Sequence, residues 1–416
     1  MDTGLQTRIN ESISQSYKGN LNADGLMRLV NDCLDYSPDR KIIHQFLDLA
    51  HIQSVAKTIS DAKVTEEWLE RIVRLIHLSQ FHTGTMIEQR AKRYGDKTVF
   101  NMIRGNDLHT LSYSDLWLKI QMAGKALSVF DGPDKPSVIG LLTYNQLNGV
   151  LVDLACLSFG IRVIPIPLNS TSEHLSFILK QSEVTHIFVG GKTAIRLWNE
   201  VHHNHDILVI ALNDSSLIQG KVMDWEIFFE NRDRSQNFDV DQRLSYVSMD
   251  RTQTIMYTSG STANPKGITF NQSNIISKRF ARALALPNFG SDDIFLCYLP
   301  LFHTFGRYFE LMGSIFWGAT YSFAESPAFN SLLKDFPIVN PSIFISIPKR
   351  WVQLYEMLEK QLDMDSEDNE TIETKLKSIT GGKLKWGLSA AGYLDPDIFK
   401  FYQSHGVNVL SGYGMT

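Results

Sequence analysis

Apolar positions recur through the first 80 residues at the three- and four-residue spacing of amphipathic helices. Leu26, Leu29, Val30, Cys33 and Leu34 form one stripe, Ile42, Ile43, Phe46, Leu47 and Leu49 a second, and Trp68, Leu69, Ile72, Val73, Leu75 and Ile76 a third. Polar breaks at Ser37-Pro38-Asp39 and Asp61-Ala62-Lys63 separate them. The pattern predicts a small helical extension over residues 1–80, an accessory unit that packs on a larger body or on a protein partner.

From Phe81 onward short apolar runs alternate with helical ones, which predicts an α/β fold: two packed lobes of largely parallel sheets flanked by helices. Helices are expected over 86–94, 113–130, 147–159, 174–181 and 274–286, and strands over 98–103, 110–113, 138–142, 162–166, 186–189, 207–210, 254–257 and 294–298. The expected division is a first lobe over 81–248 and a second over 249–416. Residues 213–242, with scattered charge, read as a surface excursion, and the acidic stretch 364–373 as an exposed loop.

Charge narrows the function. With 40 Lys plus Arg against 45 Asp plus Glu the net charge is -5, and no basic run is interleaved with aromatics, so the chain is not expected to bind nucleic acid. Cys33, Cys156 and Cys297 have no metal-ligand spacing and read as buried thiols of a reduced compartment. The start, MDTGLQTRINESISQ, has no apolar core, and the apolar region 295–319 is broken by His303, Arg307 and Glu310. No signal peptide or span is evident, which makes the cytoplasm the expected location and leaves peripheral membrane contact open. His202, His203 and His205 lack helical ligand spacing and read as a solvated loop, so no metal-ligating residue is assigned.

The densest chemistry follows the short strand at 254–257: Thr258, Ser259, Gly260, Ser261, Thr262, Ala263, Asn264, Pro265, Lys266 and Gly267. Glycines permit close backbone approach, hydroxyls and successive N–H groups suit phosphate oxygens, and Lys266 adds positive charge. The order differs from G-x-x-x-x-G-K-[ST], because Pro265 precedes Lys266 and Gly267 follows it, which sets aside a P-loop ATPase.

TSGSTANPKG resembles the phosphate loop of the adenylate-forming superfamily, which includes acyl-CoA synthetases, fatty acyl-AMP ligases, luciferases and peptide-synthetase adenylation domains. It departs from that pattern at Ala263, where the family has glycine. The succession from Val138 to Gly190, the segment Leu299-Pro300-Leu301-Phe302-His303, the turn Ser389-Ala390-Ala391-Gly392 and the terminal Gly412-Tyr413-Gly414-Met415-Thr416 resemble the same superfamily. Residues 341–351 are similar to its long-chain acyl-CoA synthetase branch. The resemblance implies that Thr258, Ser259, Gly260, Ser261, Thr262, Lys266 and Gly267 hold phosphates. Ala391, Gly392 and Tyr413 would meet adenine, and Thr416 the α-phosphate. Lys266, Thr416 and His303 form the implied catalytic set, with His303 positioning substrate at the junction of acyl pocket and phosphates rather than acting as a general base. ATP, magnesium and coenzyme A are the implied cofactors, with a fatty acid as substrate, and Lys266 and Tyr413 are expected to serve one nucleotide.

The apolar run 305–323 suits a hydrocarbon channel and shows no acidic residue obviously placed to capture an α-amino group, which favours a medium- or long-chain fatty acid over an amino acid. The family pattern continues past Thr416 with a magnesium-binding glutamate, a barrel lobe and a mobile domain carrying a lysine. Residues 1–416 alone are therefore expected to be inactive. The other class of function is a non-catalytic nucleotide- or acyl-adenylate-binding module whose helical extension engages a protein partner.

Overall fold

The computed structural model describes residues 3–17, 22–36, 39–131, 136–230, 238–258, 264–362 and 368–412. Its strands are β1 (Thr98–Arg104), β2 (Asp107–Ser112), β3 (Val138–Thr143), β4 (Arg162–Pro165), β5 (His186–Gly190), β6 (Leu208–Ala211), β7 (Lys221–Asp224), β8 (Thr254–Thr258), β9 (Lys266–Phe270), β10 (Ile294–Cys297), β11 (Thr320–Phe323), β12 (Ile343–Ser346), β13 (Trp386–Ala390) and β14 (Asn408–Gly412). They form two seven-stranded sheets, ordered β7-β6-β5-β3-β4-β8-β9 and β14-β13-β12-β10-β11-β1-β2. Each sheet is parallel except for one antiparallel edge strand, β9 in the first and β2 in the second. Strands such as β11 and β12 are buried along their whole length, as expected where helices cover both faces.

The two sheets share one plan. In each, the first strand after a hairpin is central, the next lies on one side of it, and the following three run outward on the other. β3 through β7 follow this plan in one sheet and β10 through β14 in the other. The hairpins are exchanged. The β1–β2 hairpin, which precedes β3 in the chain, pairs with β11, whereas β8–β9, which precedes β10, pairs with β4. Compact units accordingly follow the sheets rather than chain order: residues 1–95 with 113–290, and 96–112 with 291–416. The boundary drawn at residue 249 from the sequence falls inside the first unit.

The N-terminal helices belong to that first unit. Most of the stripe positions the spacing predicts are buried, Leu34, Leu69 and Val73 only partly, and Asn22 and Asp39 cap two of the helices by accepting the N–H groups of Gly25 and Lys41. Helices Gln53–Asp61 and Thr65–Ser79 pack on helix Gln272–Ala285, where His77 Nε2 lies 2.7 Å from Ser273 Oγ. The fully buried Arg90 donates to Asp48 at 2.8 Å, and Arg93 reaches the same carboxylate at 2.9 Å.

Two local expectations are corrected. The excursion at 213–242 contains the edge strand β7 and a helix, Trp225–Glu230, that buries Phe228. Charged residues are tolerated there because an edge strand needs only one partner. The loop expected at 364–373 gives way at Asn369 to a helix, Asn369–Thr380, whose Asp368 cap accepts the Thr371 N–H at 2.7 Å. The histidines at 202, 203 and 205 surround a single 3-10 turn, His202–Asn204, and His205 Nε2 is 3.2 Å from Ser176 Oγ. Cys33, Cys156 and Cys297 are buried free thiols.

Candidate functional site

In the first unit the candidate residues lie on the β8–β9 hairpin. β8 is anchored from below: the Thr254 hydroxyl donates to Val163 O at 2.5 Å, and Gln253 Nε2 donates to the carbonyls of Cys156 and Ile161. Tyr257, buried at 3% exposure, donates its hydroxyl proton to Gln181 Oε1 at 2.9 Å and lies 2.7 Å from Ser182 Oγ. Antiparallel register then sets Gly267 opposite Tyr257 and Lys266 opposite Thr258. A Cβ on Gly267 would stand 2.8 Å from Ile255 Cγ2 and 3.2 Å from the Tyr257 ring, so the close packing of the hairpin requires glycine there. Lys266 remains exposed at the carboxyl end of β8. Ser259, Gly260, Ser261, Thr262 and Ala263, between the two strands, lie outside the described residues.

In the second unit the candidates gather at the carboxyl ends of β10, β12 and β13. β10 is flanked by β11 and β12, the point where strand order reverses, and open parallel sheets hold ligands outside the carboxyl ends of strands at such a point. Tyr298, directly after β10, bridges to the end of β12: its Oη is 2.6 Å from Ser346 Oγ and accepts the Ile347 N–H at 3.4 Å. The Arg350 guanidinium lies 5.8 Å from the centre of the Tyr298 ring. His303 follows on an exposed turn closed by its N–H to Pro300 O at 3.0 Å, and the protein around its ring lowers its pKa below the ordinary histidine value. After β13, Ala391 adopts a left-handed φ of 63°, which costs a non-glycine residue about 1 kcal/mol. Gly392 beside it is exposed. Such a turn offers bare backbone to a flat ring. Tyr413 and Thr416 lie outside the described residues.

Three polar residues here were not legible as site residues. Tyr298 sits in an apolar run and reads as core. Arg307 and Glu310, read from the sequence only as interruptions of an apolar region, are both fully buried in a π-helix, Phe305–Leu311. Glu310 is thus a buried acid within the apolar run 305–323. Burial pushes its carboxyl well above the usual carboxylate range, and the backbone N–H of Leu299 offsets this only in part. The signal that marks them is a pair of charged residues three apart inside an otherwise apolar stretch.

A magnesium ion is implied by the resemblance. Among the described residues there is no group of three or more His, Cys, Asp or Glu side chains that could hold a metal, and no step is derived through one. Likewise, no helix among the described residues is long and apolar enough to cross a membrane.

Comparison with known proteins places these features in a family. The profile of the AMP-binding enzyme family matches residues 87–416. Long chain acyl-CoA synthetase 7, peroxisomal, of Arabidopsis thaliana is 25% identical over 339 residues, covering 74% of this chain and 48% of the relative. Fatty acyl-CoA synthetase A of Dictyostelium discoideum is 24% identical over 348 residues, covering 74% of this chain and 50% of the relative. The chain thus spans about half the length of the curated relatives it matches. Among solved structures, the A domain of carboxylic acid reductase from Segniliparus rugosus, in complex with AMP and a co-purified carboxylic acid, superposes with a TM-score of 0.67 at 17% identity, covering 81% of this chain and 60% of that one. The adenylation domain of the carboxylate reductase from Mycobacterium chelonae gives the same TM-score, 0.67, at 17% identity, with 81% and 58% covered. With the profile matching most of its length, and with the adenylation-domain fold, the chain belongs to the AMP-binding enzyme family.

Proposed function

We propose that the protein containing this chain activates a medium- or long-chain fatty acid with ATP, forming acyl-AMP and pyrophosphate and then transferring the acyl group to coenzyme A. The observation that carries this reading is the hairpin register that sets an exposed Lys266 opposite Thr258 at the carboxyl end of a parallel strand, flanking the hydroxyl-rich segment. Carboxylate and ATP are both anionic, so their approach needs a group that offsets phosphate charge and a frame that aligns the acid oxygen with the α-phosphorus. Lys266 supplies the charge, and Thr258 with the N–H groups that follow it would bind phosphate oxygens. The turn at Ala391 and Gly392 would take the adenine, with Tyr413 stacked on it and the Thr416 hydroxyl on the α-phosphate.

His303 would orient the carboxylate, and its lowered pKa keeps it neutral, as suits a positioning group. No covalent nucleophile is needed, and burial holds the Cys33 and Cys297 thiols well above the ordinary range, to about 12 for Cys33. Residues 1–416 are assigned binding and positioning, and turnover is assigned to the whole protein. Titration with nonhydrolysable acyl-AMP analogues of increasing chain length tests the substrate class. Affinity should rise by roughly fourfold per methylene over the first several carbons, about 0.8 kcal/mol each. A preference for acetyl or aminoacyl analogues over dodecanoyl would overturn it.

A further inference from the structure

We propose that the buried hydroxyl pair Ser182–Tyr257 is a positioning unit for nucleotide phosphate: it fixes the Tyr257 ring as a floor beneath Gly267 and thereby sets where Lys266 stands. The proposal rests on the phosphate-binding reading of Lys266 given above, whereas the pair and the floor are properties of the first unit alone. Three features of the geometry lead to it.

The first is the pair. Tyr257 lies in an apolar cluster with Ile164, Ile166, Ile178 and Leu179, where a phenol hydroxyl is costly unless it is matched. Its Oη gives its proton to Gln181 Oε1 at 2.9 Å, so the contact at 2.7 Å is made by the Ser182 hydroxyl donating to Oη. Gln181 is exposed, and water can take its place. Ser182, at 3% exposure, is out of reach of water, so its bond to Tyr257 is the one that holds the ring.

The second is the anchor. Ser182 caps the carboxyl end of helix Ser172–Gln181, and its N–H donates to Ile178 O at 3.0 Å. The chain leaves the helix through Glu183 at a left-handed φ of 55°, closed by the Val184 N–H to Leu179 O at 3.0 Å. The hydroxyl that meets Tyr257 is therefore carried by a fixed piece of backbone.

The third is the floor. β9, which begins at Lys266, is an edge strand paired with β8, and among the described residues no strand lies beyond it in the sheet. Such a strand frays more readily than a central one, because a single ladder holds it. At its first turn of ladder Gly267 lies over the Tyr257 ring, where a Cβ would stand 3.2 Å from Cε1 and Cζ. A phenylalanine would fill the same space, but it would leave the Ser182 hydroxyl buried without its partner and the ring free to tilt. The hydroxyl pair thus gives the edge strand a second support at the residue next to Lys266.

The test uses the 416-residue chain with Tyr257→Phe and Ser182→Ala, which remove opposite ends of one bond. Amide hydrogen exchange without ligand is compared between β9 and β5, and calorimetry compares ATP with adenosine. In both variants β9 should exchange about tenfold faster while β5 keeps its native rate. ATP affinity should fall about tenfold with adenosine affinity unchanged, and the double variant should lose no more than either single one. A merely structural role would speed exchange in both strands and weaken both ligands together, and that result overturns the proposal. Native exchange of β9 in a folded Tyr257→Phe chain also overturns it. Should that chain not fold, Ser182→Ala is read in the same way. Lys266→Ala separates this proposal from the function it rests on. If Lys266→Ala weakens ATP and Tyr257→Phe does not, the positioning role falls; if Lys266→Ala leaves ATP affinity unchanged, the phosphate-binding reading of Lys266 falls with it.

Discussion

Lys266 occupies its position through its neighbours. Its backbone is fixed opposite Thr258, the hairpin packs through Gly267 onto the Tyr257 ring, and that ring is tied to Gln181 and Ser182. The ammonium is therefore carried by an anchored strand rather than by a free loop. Lys266→Ala removes a charge-assisted contact worth roughly 1.5 to 3 kcal/mol. Calorimetry should show ATP affinity falling about 10- to 150-fold with adenosine affinity unchanged, and an equal loss for both ligands would remove the phosphate role.

At the scale of elements, helix Phe329–Val339 is joined to the end of β11 by one buried acid. Asp335, at 1% exposure, accepts the Glu325 N–H at 3.0 Å through Oδ2, and its Oδ1 has no hydrogen-bond partner. Burial, with a smaller contribution from the Glu325 charge, raises its pKa from 3.8 to about 6. Because the folded pKa lies above the unfolded one, the folded chain binds this proton more tightly. Its contribution to stability is fully present below 3.8 and is lost as pH rises through about 6. Asp335→Asn keeps the acceptor without the charge. Its melting temperature should exceed that of the native chain at pH 7.5, and the difference should shrink at pH 5. An equal difference at both pH values would contradict the assignment.

At the scale of the molecule, the N-terminal helices are integral to the first unit rather than appended to it. Helix Gln272–Ala285, which follows β9, buries Ile275, Ile276 and Phe280, with Phe81 and Phe280 in edge contact at 6.3 Å. Helices Gln53–Asp61 and Thr65–Ser79 pack on the same element. Deleting residues 1–80 would also strip Asp48 from the fully buried Arg90, and breaking such a pair costs roughly 3 to 5 kcal/mol. The truncated chain should melt markedly lower or fail to fold. A truncated chain as stable as the native one would return these helices to a purely accessory role. The exchanged hairpins act at the same scale, since each sheet is completed by a hairpin that precedes the other sheet's central strands.

The sequence by itself determined the α/β class, the N-terminal helices and most central elements, because a buried parallel strand is a short apolar run and a covering helix carries a stripe of fixed period. Local order of residue types also singled out the segment from Thr258 to Gly267 as a candidate, since its hydroxyls, glycines and lysine all fall within ten positions. Tertiary structure alone decided the rest. Hydrophobic period does not say which sheet a strand joins, so β1–β2 and β8–β9 could be placed only by pairing across more than 90 residues. Burial of a charged residue depends on what packs against it, so Glu310 and Arg307 looked like breaks in an apolar run until the π-helix enclosed them. Backbone strain at Ala391 is likewise invisible in its residue type, because an alanine takes a left-handed φ only where the surrounding fold imposes it.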